Sequence, residues 1–97
     1  MKFLKTLHAA ALLLAAAPAF AQTTPPPGRL LASNCFQCHG TNGTGGVERL
    51  AGSSASEIYN ELKEMQLKAT PEMMDMHARG FTDAELKLIA NYFASQR

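Results

Sequence analysis

The only two cysteines of this 97-residue chain, Cys35 and Cys38, stand three residues apart, and His39 follows them in the stretch SNCFQCHGTNG. Two thiols and an imidazole at this spacing support three chemistries: a redox dithiol, part of a zinc site, or covalent attachment of a haem. A thioredoxin-like dithiol sits behind a strand in a βαβ unit, and no useful length of strand alternation is present. A structural zinc needs four ligands. Beyond residue 21 the cysteines and histidines are only Cys35, Cys38, His39 and His77, and the adjacent side chains at 38 and 39 diverge. Haem attachment uses every position. Two thiols on one helical turn reach the two vinyl edges of a porphyrin, and the next residue sets an imidazole under its iron. In this reading Cys35 and Cys38 form the thioethers of one covalent haem c, and His39 is the proximal ligand. A hydrogen bond from the other ring nitrogen to a backbone carbonyl would fix its tautomer.

The far side of the iron decides the class of chemistry. A methionine opposite histidine gives a six-coordinate electron-transfer centre, whereas an open position invites small molecules. The available donors are Met65, Met73, Met74, Met76 and His77. Met65 falls on the apolar face of an expected helix, so core packing accounts for it. The others lie in PEMMDMHARG, read as an irregular loop from Glu72 to Gly80. Three methionines in four loop residues exceed what packing needs, so one is expected to be a ligand and the others to cover the haem. Residue chemistry leaves Met73, Met74, Met76 and His77 all open.

These side chains need elements to hold them. A first helix is expected from Pro27 or Gly28 to Cys35, with Leu30 and Leu31 turned inward. The glycine run GTNGTGG, Gly40 to Gly46, requires unusual backbone angles or close approach, here assigned to backbone passing a flat, wide cofactor. A second helix opens at the capping box Ser54–Glu57, buries Ile58, Leu62 and Met65 with Tyr59 beside them, and stops at Thr70-Pro71. The last helix opens at Thr82–Glu85 and buries Leu86, Ile89, Ala90 and Phe93. The fold class is all-α.

Residues 1–21 combine Lys2 and Lys5, an apolar run from Leu7 to Ala17, and Ala19-Phe20-Ala21. This is the pattern of a secretory signal peptide, and it implies a periplasmic protein. The apolar run is too short to span a bilayer, so no membrane span is expected after cleavage. A Pro-rich leader (22–27) precedes one domain (28–97). Seventy-six residues build only a marginal core, and domains of that size add a staple such as a cofactor. Without Lys2 and Lys5, seven basic residues face eight acidic ones, which is not the clustered basic surface of a nucleic-acid binder.

CFQCHG, then RLAG (Arg49–Gly52), then MMDMHARGFTDAELKLIANYFASQ together resemble the small bacterial class I cytochromes c. They are similar above all to the haem domain of flavocytochrome c sulfide dehydrogenase. The resemblance covers nearly all of the chain beyond the signal peptide. It implies about three main helices around one haem, and its spacing to Ala78-Arg79-Gly80-Phe81-Thr82-Asp83 lands on Met74 as the distal ligand. It further implies that the first helix crosses the last at a small residue, with Gly28, Tyr92 and Phe93 as candidates. Many relatives carry a proline whose carbonyl accepts the proximal histidine's N–H; Glu48 stands there in this chain, and its carbonyl is expected to serve. The function implied is single-electron transfer, as a soluble carrier or as the cytochrome subunit of a redox enzyme, with a flavoprotein or other dehydrogenase subunit as partner. The competing function is a haem enzyme or gas sensor with a labile sixth ligand.

Overall fold

The computed structural model describes residues 15–18 and 23–97. The expected signal peptide therefore lies outside the described residues except for 15–18, and its cleavage site lies wholly outside them. Residues 23–26 are exposed and carry no regular structure. Among the described residues every regular element is helical: α1 (Arg29–Ala32), a 3₁₀ turn (Ser33–Cys35), α2 (Phe36–His39), a second 3₁₀ turn (Thr41–Gly43), α3 (Ala55–Leu67), α4 (Met73–Arg79) and α5 (Asp83–Ser95). The helical path that begins at Arg29 thus runs beyond Cys35, through the whole cysteine motif to His39.

The inward face of that first path is not the one expected. Leu30 is 83% exposed, while Ala32 is fully buried. Gly28, Ala32, Cys35 and Phe36 recur at helical spacing and so share one side, and Leu30 lies two positions round the helix from it. Leu31 packs partly against the core, as expected. The reason for the small residues is the crossing with α5. Gly28 has φ +81°, and a Cβ there would run into the Leu88 carbonyl, whose carbon lies 2.8 Å from the Cβ position. Phe36 then meets the α5 aromatics, with ring centroids 6.3 Å from Tyr92 and 6.2 Å from Phe93, the latter edge-on. Such tilted aromatic pairs add to the stabilisation from burial alone.

The methionine segment is a helix, not a loop. Glu72 accepts from the amide of Asp75, and the Asp75 carboxylate accepts from the Glu72 amide at 2.8 Å, so two orphan donors are satisfied reciprocally. Because the capping box is built from two acidic residues behind Pro71, a search for Ser or Thr at the cap passes over it. Asp75 is 1% exposed and also pairs with Lys68 at 3.4 Å. At the other end, the Gln66 amide of α3 donates to the carbonyls of Ala78 (2.8 Å) and Phe81 (3.0 Å). This gives a side-chain partner to one carbonyl of the last helical turn and to one just beyond it. As a helix, the segment spreads its methionines in different directions. Met73 and Met76 are 76% and 56% exposed, whereas Met74 packs against the core.

α5 behaves as its pattern requires, and α3 does so with only the Ser54 half of its expected capping box formed. Ser54 caps α3, accepting from the Glu57 amide, and Thr82 with Glu85 forms a complete capping box on α5. α3 ends at Leu67, three residues before Thr70. Ile58 and Leu62 of α3 and Leu86, Ile89, Ala90, Tyr92 and Phe93 of α5 form the core. At the outer seam, the Tyr59 hydroxyl donates to Asp83, which also pairs with Lys63 (3.2 Å) and Lys87 (3.3 Å). The Tyr59 hydrogen bond, then those of Lys63 and Lys87, hold the Asp83 carboxyl down from 3.8 to about 2.

Two outcomes follow for the haem-loaded protein unfolded by denaturant. Gly28→Ala is expected to cost about 2 kcal/mol or more, since it adds backbone strain to a steric clash. Gly45→Ala, whose Cβ meets nothing within 4 Å, is expected to be neutral within about 0.5 kcal/mol. Because the folded pKa of Asp83 is depressed, the seam stabilises the fold above the ordinary value of 3.8 and loses that contribution as pH falls through about 2. Tyr59→Phe should therefore flatten the acid limb of the stability–pH curve, and an unchanged limb would rule out this origin.

Candidate haem site

His39 ends α2 and is 9% exposed. Its orientation comes from the loop that follows. Gly40 has φ +78° and ψ 160°, which ends α2 and turns the chain back on it. The amides of Gly45 and Val47 then return to the carbonyls of His39 (3.1 Å) and Cys38 (2.7 Å). Gly46, at φ +72°, lies so close to the Cys38 carbonyl that a Cβ would overlap it. Gly43, at φ +75°, lies flat against Phe93, whose Cδ1 is 2.6 Å from the Cβ position. These close approaches are to the protein's own backbone and core, and they account for the glycines at positions 43 and 46. The loop's effect on the site is to fold residues 47 and 48 back beside α2. The Glu48 carbonyl consequently accepts from His39 Nδ1 at 2.8 Å, as expected from the sequence. This bond places the proton on Nδ1 and leaves Nε2 as the free donor of the ring.

α5 anchors the same loop. The Gly52 amide donates to the Phe93 carbonyl at 2.9 Å, and the Tyr92 hydroxyl donates to Asn42 Oδ1 at 2.5 Å. Asn42 is the one non-glycine among the described residues with positive φ, at 58°, a conformation that Asn tolerates better than most residues. The glycine run announced such a geometry without saying what would hold it. The Tyr92–Asn42 bond spans fifty positions, and no local pattern encodes it.

Around His39 lie three adjoining clefts. The first is walled by Leu62, Ala78, Phe81 and Ile89 and edged by both cysteines. The second runs inward past Leu50, Ile58, Met65 and Phe93 and again includes Cys35. The third opens outward between Val47 and Met73. His39 and Met74 are the two side chains common to all three. Met65, expected to be core, is half-buried and lines only the inner cleft. His77 is exposed and lines the first and third.

The thiols differ. Cys38 is exposed and Cys35 is half-buried, and the two are not joined in a disulfide. Burial pushes the Cys35 thiol up, away from the thiolate form that a redox dithiol uses as its nucleophile. An apolar-walled space with two free thiols along one edge, and with the oriented imidazole of His39 and the thioether of Met74 in its lining, fits a haem. A dithiol catalyst would use neither Met74 nor the apolar walls.

Tyr92→Phe removes the loop's longest tie and leaves the Asn42 side chain short of a partner. A loss of about 1 kcal/mol in unfolding free energy is expected. Amide exchange at Gly45 and Val47 should quicken with it, and unchanged exchange there would show that the tie does not hold the loop.

Comparison with known proteins agrees with this arrangement. Residues 22–93 match the family described as cytochrome c oxidase, cbb3-type, subunit III. The cytochrome subunit of sulfide dehydrogenase from Chlorobaculum tepidum is 34% identical over 103 aligned positions, covering 92% of this chain and 94% of that protein. With its helical fold and its cysteine motif edging an apolar cleft, the chain belongs to the cytochrome c family, as a small class I member and an electron-transfer haem protein.

Proposed function

We propose that this chain is a periplasmic monohaem cytochrome that passes single electrons through a haem held by His39 and Met74 and attached at Cys35 and Cys38. The observation that carries the ligand assignment is the sharing of all three clefts by His39 and Met74 alone. A bound haem supplies a reversible one-electron iron couple, whose potential a methionine ligand raises. The chain does the rest. The Glu48 carbonyl holds the His39 ring and strengthens it as a donor. Leu62, Ala78, Phe81 and Ile89 line the space with apolar surface, which excludes water. The helix around Met74 is capped at Glu72 and tied to α3 through Gln66, so the thioether is presented from a fixed element. A thioether available in addition to the imidazole favours a carrier over a haem enzyme or gas sensor, because both ligands would then be kept in both oxidation states.

The secretory pattern of residues 1–21 supports export, and no described helix is long and apolar enough to cross a membrane. The similarity to a sulfide dehydrogenase cytochrome subunit supports service to a larger redox enzyme, with a flavoprotein as one candidate partner. Family likeness does not by itself transfer sulfide as a substrate.

Met74→Ala is expected to abolish the low-spin methionine–iron absorption and let the reduced protein bind carbon monoxide readily. Met76→Ala and His77→Ala should retain the native spectrum. Loss of that absorption in either of these two variants only would move the ligand. Cys35→Ser/Cys38→Ser should leave no haem on the chain in a denaturing gel. The exported protein should begin at Gln22 by N-terminal sequencing.

A further inference from the structure

The outer cleft opens between two apolar side chains with no partner of their own: Val47 is 84% exposed and Met73 76% exposed. Met76, 56% exposed, lines the groove next to it. Large apolar side chains gathered at the mouth of a cofactor cleft, rather than scattered, mark an interaction face. The lysine, arginine, aspartate and glutamate side chains that line the three clefts are of one sign. The residues lining the three clefts include Glu48, Glu61 and Glu72, all exposed, and neither lysine nor arginine. Five cations have partners of their own: Lys63 and Lys87 on Asp83, Lys68 on Asp75 at the Glu72 end of α4, Arg79 on the Lys68 carbonyl and Arg49 on the Thr44 carbonyl. A second copy docked mouth to mouth would set these carboxylates against one another, so self-association does not suit the face. We propose that this apolar, acid-rimmed mouth is the docking face for a redox partner whose own surface carries an apolar patch bordered by lysine or arginine. The proposal rests on the electron-carrier reading above and adds the chemistry of the partner to it.

The test uses the reduced, haem-loaded protein and two oxidants of opposite charge, tris(phenanthroline)cobalt(III) and ferricyanide. In each case one electron leaves the protein and converts cobalt(III) to cobalt(II) or ferricyanide to ferrocyanide, with no proton transferred. Between about 10 mM and 0.5 M salt the rate with the cobalt complex should fall at least about threefold and that with ferricyanide should rise. The triple variant Glu48→Gln/Glu61→Gln/Glu72→Gln keeps the carbonyl and capping oxygens and should lose about half or more of both responses. Val47→Ser/Met73→Ser should slow the flat, apolar phenanthroline complex about twofold at high salt, where charge is screened, and leave ferricyanide within that factor. An unaltered salt response in the triple variant, or an unaltered cobalt rate in the Val47/Met73 variant, overturns the docking face while leaving the carrier reading intact. A reduced protein that reacts with neither oxidant removes the carrier reading, and the docking face with it.

Discussion

One hydrogen bond, from His39 Nδ1 to the Glu48 carbonyl at 2.8 Å, is the constraint on which the site depends. It decides which ring nitrogen faces the cleft, and a carbonyl can serve this way only if the chain returns to α2 within nine residues. That return sets the loop's composition. Gly46 lies against the Cys38 carbonyl and Gly43 against Phe93, where any Cβ would collide. Few residue types could replace these glycines. The loop is held in turn by Tyr92 and Phe93 of α5. The orientation of one ring is therefore set by packing that reaches the opposite end of the sequence.

The same economy shapes the distal side. α4 has only seven residues, too few to be stable alone. It persists because both ends are tied: by the Glu72–Asp75 box with Lys68 at its start, and by Gln66 at its finish. Inside a helix, three methionines in four positions cannot all face one way. Met74 packs against the core while Met73 and Met76 lie at the surface, where Met73 joins the exposed apolar rim of the cleft. A single local pattern thus presents one thioether inward and apolar surface outward.

Much of this was legible in the sequence because the relevant signals are local. Capping at Ser54 and Thr82, the apolar spacing of Ile58 and Leu62, and the run from Leu86 to Phe93 each depend on neighbours a turn or two away. The Cys-x-x-Cys-His motif is equally compact, and the Glu48 bond was reachable through the family resemblance. The misreadings share a different cause. Leu30 looked like core because it is large and apolar, but the crossing with α5 needs small residues, so Gly28 and Ala32 took the inward face. The methionine segment looked irregular because its cap is made of Glu and Asp rather than Ser or Thr. The contact of Gly43 with Phe93 could not be read from the glycine run, because the two residues stand fifty positions apart.

The central claim is that the sulfur of Met74 faces His39 across the haem. The most direct measurement is proton magnetic resonance of the reduced holoprotein with methyl-labelled methionine. A methyl group held over a porphyrin is shifted far upfield by the ring current, and neighbouring protons identify its residue. One such methyl is expected, and its cross-peaks should place it in Met74, beside Ala78. An upfield methyl assigned to Met73 or Met76, or none at all with an imidazole in its place, would contradict the account.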